Sequence, residues 1–444
     1  MAIDENVLEG FKGCLEKEAG SDSERFIKVG IATDGLDTFG RLKISQDIDI
    51  FDNKNISSRS PELFDEVTSG SGAINYTRAT SSVQLTITEA SGDRALRQTR
   101  YLPYIPGKAQ SIVMTGVLTD DSDAELSIVL RTSTSGSAVD TKVGRESWSD
   151  TVLGSGDNNP SNVRIDFTNA GIFSFAAQWL GVGIVKFGLS NKNGREINPY
   201  QFENSFSNDD VYMRTPTLPM RYEIVSDGSF IYSRIGYFDD NDGFFYEAKV
   251  TANAGTYTLK EICCSSSSSG GIRPIGLEYH ANTRGTGSVS SLAGTDTLAV
   301  RLANTYQGED NRKTIVCFAN QFFAESENTV FELYKVISYT DNGTSWTDVN
   351  TYSGIEYAAG ADIDVTLSSF HMINCAIVTA NSSGSKSQSG IVGVDSVFEI
   401  LDENRVLKQN FDSTQSQMFL VKAFSFTAEN TTNCGCSITW LELE

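Results

Sequence analysis

Asp239, Asp240, Asn241, Asp242 and Gly243 form the most suggestive acidic cluster in the chain. Calcium prefers several oxygen ligands, and a short acidic loop supplies them. The EF-hand order fails here, because its first ligand position falls on Phe238. Largely apolar residues flank the cluster on both sides, from Ile235 to Phe238 and from Phe244 to Tyr246. A hairpin turn ending in glycine therefore accounts for these residues better than a metal does. A calcium loop formed by Asp239, Asp240 and Asp242 stays open as the alternative.

Other chemistry is sparsely signalled. The two histidines, His280 and His371, share no metal-binding spacing with each other or with a cysteine. Seven cysteines, an odd number, show no framework spacing. Cys434 and Cys436 flank one glycine, which puts both thiols on one strand face. Packed thiols are the favoured reading there, over a soft metal. Gly181-Val182-Gly183 lacks the third glycine of a dinucleotide fingerprint, and neither a P-loop nor a nucleophile elbow occurs. No cofactor and no catalytic residue is expected. Paired carboxylates for glycosidic cleavage depend on spatial neighbours, which sequence separation does not reveal.

Two segments invite a structural reading. Pro103, Pro106 and Gly107 punctuate a strand end that turns into Ser111–Val117, and Lys108 reads as a solvated turn lysine. Trp179 lies between Phe173 and Phe175 on one side and Val182, Ile184 and Val185 on the other. Those flanks predict core packing, with the indole N–H finding an internal partner, rather than an exposed platform for a sugar. Glycines on either side of Val182 predict a close approach of another backbone or ring.

These residues need strands to carry them. At 444 residues the chain is too long for one compact core, so two domains are expected. Apolar residues make up 39% and charged residues 21%, which excludes wholesale disorder. Glycine at 38 and proline at only 8 suit a β-rich chain. Period-2 alternation recurs from about residue 30: Val83, Leu85, Ile87; Leu126, Ile128, Leu130; Val163, Ile165, Phe167. Residues 171–189 read as two adjacent strands followed by an Asn193-Gly194 hairpin signal. Later strands are expected at 297–302, 314–323, 330–339, 364–367, 397–401, 418–426 and 437–443. The fold class expected is all-β, with antiparallel, jelly-roll-like β-sandwich domains and a short N-terminal helical arm.

The arm covers residues 1–30. Val7, Phe11 and Leu15 (or Cys14) recur at helical spacing over 4–18, with acids in the first turn, and are the candidate anchoring residues. About fifteen residues make a marginal helix in water, so this one needs a surface to dock on. A β-sandwich body over 31–268 and a second β-rich domain over 269–444 follow, with the low-complexity run at 265–271 (SSSSSGG) read as a soft boundary between them or equally as a long sandwich loop.

Net charge of −22, with no Lys/Arg cluster, argues against nucleic acid as a partner. No apolar run reaches the ~20 residues of a membrane span. Acids precede any apolar stretch at the N-terminus, so no export signal is read there.

Several phrases carry a resemblance. They are Asp37 to Ser45 (DTFGRLKIS), Asp49 to Lys54 (DIFDNK), Gln98 to Gln110 (QTRYLPYIPGKAQ) and Met114 to Gly116 (MTG). Gln178 to Gly183 (QWLGVG) and Met213 to Ile224 (MRTPTLPMRYEI) follow in that order. Together they resemble a family of virion structural proteins from tailed, mostly marine, bacteriophages, often labelled tail fibre. The resemblance is strong over about residues 30–270, and the closing Ser437–Glu442 is similar to how such chains end.

The resemblance implies a virion part made in the host cytoplasm, with no enzymatic role. Other virion proteins would be its partners, with a host surface glycan or receptor at the outer end. A tail-associated fibre or spike is the leading expectation, and a capsid-surface protein of the head is the alternative. A secreted carbohydrate-binding or glycan-cleaving protein is the reading from a different class. The arm's apolar stripe and the threefold closure common among fibres predict a homo-oligomer, with a trimer favoured.

Overall fold

The structure is a computed structural model. It describes residues 47–154, 158–207, 209–269, 276–283, 287–289, 294–324, 328–378, 386–390, 406–409, 416–425 and 432–443. The helix expected at 4–18, with Val7, Phe11 and Leu15, lies outside the described residues, as do the first quoted phrase and the strand expected at 397–401.

Among the described residues strands dominate, and every ladder is antiparallel. A first sheet runs in the order Glu196–Glu203, Ile184–Ser190, Gly171–Ala177, Gln110–Val117, Tyr257–Ser268, Ser82–Ile87, Ala73–Thr77, with Ile48–Lys54 also paired to Tyr257–Ser268. A second runs Phe64–Ser69, Arg94–Thr99, Met220–Ser226, Phe230–Phe238, Gly243–Thr251, Glu125–Thr132, Val139–Gly144. Alternate residues of both point into one core. Leu85, Ile112, Phe173, Phe175 and Phe187 come from the first sheet, and Tyr222, Ile224, Ile235, Phe244 and Tyr246 from the second. Strands far apart in sequence lie side by side, such as Gln110–Val117 beside Tyr257–Ser268. These are the crossing connections of a jelly-roll-like sandwich.

The same plan recurs further along the chain. A third sheet runs Leu277–Asn282, Thr432–Leu443, Thr314–Ala324, Lys386–Gly390. A fourth runs Thr347–Asp348, Ile355–Ala359, Thr295–Leu302, Met418–Ser425, Thr329–Asp341, Val365–Val378. Their shared core holds Leu298, Val300, Leu333, Val421, Ile438 and Trp440, with Phe322 stacked on Phe331 at 4.9 Å. The first core draws on residues from Ile48 to Cys264 and the second on residues from Ala281 to Trp440.

Three sequence expectations meet the ladder directly. Residues 171–189 are indeed two strands, paired through Phe187 and Phe175. The first four serines of the run are strand rather than linker, and Gly270 and Gly271 lie outside the described residues. Ser265 to Ser268 belong to the long Tyr257–Ser268 strand, held between Ile48–Lys54 and Gln110–Val117. A serine hydroxyl is small enough for a sheet interior once it is bonded, as Ser266 is by the Gln110 amide at 3.2 Å.

Val163, Ile165 and Phe167 alternate inward as expected, yet they form no strand. Their backbone pairs with 152–154 through one isolated bridge, Gly154 donating to the Val163 carbonyl at 3.0 Å and Ile165 to that of Val152 at 2.9 Å, and the Arg145 guanidinium ties the two segments together at the carbonyls of Thr151, Val152 and Ile165.

Candidate functional site

The acidic cluster is the turn between Phe230–Phe238 and Gly243–Thr251, as its apolar flanks imply. Gly243 closes it at φ 135°, a conformation that a side chain disfavours. Each of the three carboxylates is taken up by protein donors. Asp239 accepts the backbone N–H groups of Asn241 and Asp242 at 2.8 Å, and its other oxygen meets Arg312 at 2.6 Å. Asp240 bridges Arg221 at 2.7 Å and Arg94 at 2.9 Å. Asp242 accepts the N–H and hydroxyl of Ser133 at 2.9 and 3.0 Å. Among the described residues, no group of three or more His, Cys, Asp or Glu side chains is arranged to hold a metal.

Arg312 comes from the second sandwich, so this turn is also a joint between the two bodies. The guanidinium lies over the Tyr101 ring at 5.1 Å, and Arg214 reaches Glu309 at 3.2 Å nearby. Burial works against the Arg312 charge, but Asp239 leads the neighbours that more than restore it and raise its pKa. A polar cavity of about 200 Å³ opens between the bodies, lined by Ser133, Arg214, Asn241, Asp242, Asp310 and Arg312, among others.

A charge ladder crosses the outer face of the second sheet from this joint. Glu223, Arg234 and Glu247 are in register on adjacent strands. Arg94 bonds Glu223 at 2.7 Å, Arg234 bonds Glu223 and Glu247 at 3.0 and 2.9 Å, and Lys142 bonds Glu247 at 2.6 Å. Burial pushes the Glu223 carboxyl up, but Arg234, Arg94 and Arg221 outweigh it and bring the pKa down to about 2. A carboxyl held ionised in this way cannot serve as the general acid that glycosidic cleavage requires.

Arginine planes also cover rings on this face. Arg221 lies over Phe238 at 5.0 Å, and Arg131 over Phe245 at 5.1 Å. A Cβ at Gly236 would come within 2.5 Å of the Phe245 Cβ, so only glycine lets that ring settle there.

Between the sheets, Arg97 and Glu261 form a fully buried pair at 2.6 Å. Asn55 donates to the same glutamate at 3.0 Å and is itself buried. None of these partners is close in sequence, and no local motif marks them.

Trp179 is half-buried rather than enclosed. It packs on the first core, meets Tyr104 edge-on at 6.2 Å and donates its indole N–H to the Met213 carbonyl at 3.2 Å. Residues 178–183 form the connection between two strands, so the apolar run ends in a turn that leaves Leu180 and Val182 exposed. A Cβ at Gly183 would fall 1.5 Å from the Gln178 carbonyl oxygen, the close approach expected of that glycine.

Cys434 and Cys436 are buried, and burial pushes both thiols up to about 12. His280 stands opposite Thr439, and His371 lies on the Val365–Val378 strand opposite Lys335.

No family model matches the chain, and no curated protein matches it in sequence. Solved structures that it resembles include a lectin from Bauhinia forficata in complex with GalNAc, at 12% identity and TM-score 0.24, covering 51% of this chain and 99% of that one. A beta-glucanase of Bacillus licheniformis matches at 9% identity and TM-score 0.19, covering 49% and 96%. A tandem pair of CBM22 domains from Paenibacillus barcinonensis matches at 8% identity and TM-score 0.19, covering 89% and 98%. Overlaps this loose say nothing of what this chain binds or does.

Proposed function

We propose that this protein is a structural component of a phage virion, a tail-associated fibre or spike engaged in host attachment. The observation that carries the reading is the joint at Asp239. Asp239 of this acidic turn holds one β-sandwich to the next, with Arg312 as the clasp. Cohesion between rigid bodies is what a particle subunit needs, and the ladder of ion pairs serves the same end within one sheet. The ordered phrases from Asp49 to Ile224 support the same assignment. The reading gives the chain other virion proteins as partners, a host glycan or receptor as its outer target, self-association with itself and no catalytic step. Electron microscopy of particles carrying a C-terminal label tests it. Label at the tail is the expected result, and purified virions without label overturn the reading.

A further inference from the structure

The strand Val365–Val378 is fourteen residues long and stands at the rim of the fourth sheet, where Thr329–Asp341 is its neighbour. Register places Phe370 opposite Val336, Met372 opposite Tyr334, Cys375 opposite Glu332 and Ile377 opposite Val330. These four share the face turned away from the core that Phe331 and Leu333 enter. Phe370, Met372 and Ile377 are 47%, 57% and 52% exposed. Further in on the same face, Val336, Met418, Leu420 and Ala299 are buried in an apolar cluster, with Trp346 and Ile363 packed over it. That cover stops short of Phe370 and Met372, so an apolar surface continues into the open at the rim.

None of the fourteen residues is Asp, Glu, Lys or Arg, in a chain that is 21% charged. Most other rim strands carry the charges or prolines that discourage strand-to-strand association, and the uncharged Ala73–Thr77 is only five residues long. Phe64–Ser69 has Asp65 and Glu66, Val139–Gly144 has Asp140 and Lys142, Leu277–Asn282 has Glu278, and Glu196–Glu203 has Glu196 and Pro199. The long strand lacks that protection.

We propose that this uncharged row is where a second copy of the chain docks. Two copies that each bear −22 repel across most of their surfaces, and least along this uncharged strand, where the one charge named beside it on that face is Glu332, opposite Cys375. An identical strand also offers an equally apolar row to pack against. The contact deepens the reading given above, and its place in a particle rests on that reading, while the association itself belongs to the purified chain.

Mass photometry and light scattering of the full chain test it. The wild type is expected at a multiple of 48.3 kDa, and the double variant Phe370→Lys, Met372→Lys at the mass of one chain with an unchanged circular dichroism spectrum. Should the variant misfold, hydrogen exchange on the wild type decides. Amides of 365–378 are expected to gain about tenfold protection as concentration rises through the assembly range. A monomeric wild type, an assembly that survives the substitutions, or exchange at 365–378 that ignores concentration overturns the contact. A monomeric purified chain that is nevertheless found in virions would remove this surface and leave the proposed function standing.

Discussion

Arg312 and Asp239 meet at 2.6 Å across the junction of two β-sandwiches, with the carboxylate almost wholly buried and the guanidinium largely so. Removing the cation strands a buried charge, which costs about 3–5 kcal/mol for a fully enclosed pair. Arg312 keeps some exposure, so about 3 kcal/mol is the expected loss for Arg312→Ala. The variant should unfold in urea in two separable steps where the parent shows one. Adding Asp239→Asn should recover part of the loss. A single transition with an unshifted midpoint would show that the joint carries no cohesion.

Acid should weaken the molecule through Glu223. Its carboxyl is depressed from 4.5 to about 2 when folded, so its contribution is complete above the unfolded value and disappears as pH falls from about 5 towards 2. The amount at stake is roughly 3 kcal/mol. Asp93 adds a change of the same sign in the same range. The Ser71 hydroxyl, then the Thr88 hydroxyl and the Ser71 N–H, hold its carboxyl at about 2. Stability measured against pH should therefore fall across that window. Glu223→Gln should be weaker at neutral pH and show a shallower fall.

Much of this fold was legible in the sequence because period-2 alternation records one buried face, whatever lies beside it. Val83, Leu85 and Ile87 declared their strand in that way, and the Asp239–Gly243 turn announced itself by its apolar flanks. Alternation does not record hydrogen-bond partners, which is why Val163, Ile165 and Phe167 look like a strand while their backbone makes only an isolated bridge to 152–154. Composition misleads for the opposite reason. Serines suggest a linker, yet Ser266, its hydroxyl bonded by Gln110, and Ser268 are both buried inside a sheet. The joint and the ends of the ladder stayed hidden because Arg312–Asp239, Arg94–Glu223 and Lys142–Glu247 join distant parts of the chain, and the inner pairs of Arg234 depend on strand register that alternation does not fix.

Buried thiols should stay silent. Burial raises Cys434 and Cys436 to about 12, which leaves almost no thiolate at pH 8 and no path for a reagent. Site-resolved alkylation of the native protein should leave both unmodified, and brief unfolding in urea should expose both together. Fast labelling of either one in the folded chain would contradict the packing of the last strand.

Calcium should not stabilise the protein. A ligand that binds only the folded form raises the melting temperature by mass action. The oxygens that a calcium ion would need at Asp239, Asp240 and Asp242 already accept from Arg312, Arg221, Arg94, Ser133 and the turn's own backbone. Melting in millimolar calcium and in chelator should agree within about a degree. A rise of several degrees that disappears in Asp242→Asn would make the turn a metal site.

Trp179→Ala tests the half-buried turn at 178–183. Truncating a fully buried large aromatic costs about 3–5 kcal/mol. Here only part of the indole is enclosed, against Tyr104 and the Met213 carbonyl, so about 2 kcal/mol is expected. Trp179→Phe keeps the ring contact and loses the N–H bond, which is worth about 1 kcal/mol. Thermal unfolding should therefore rank the parent above the Phe variant and the Phe variant above the Ala variant. Adsorption to host cells should be equal for all three once each is assayed below its melting range. A variant that melts like the parent but fails to adsorb would make the exposed indole edge, with Leu180 and Val182 beside it, a receptor contact instead of a structural anchor.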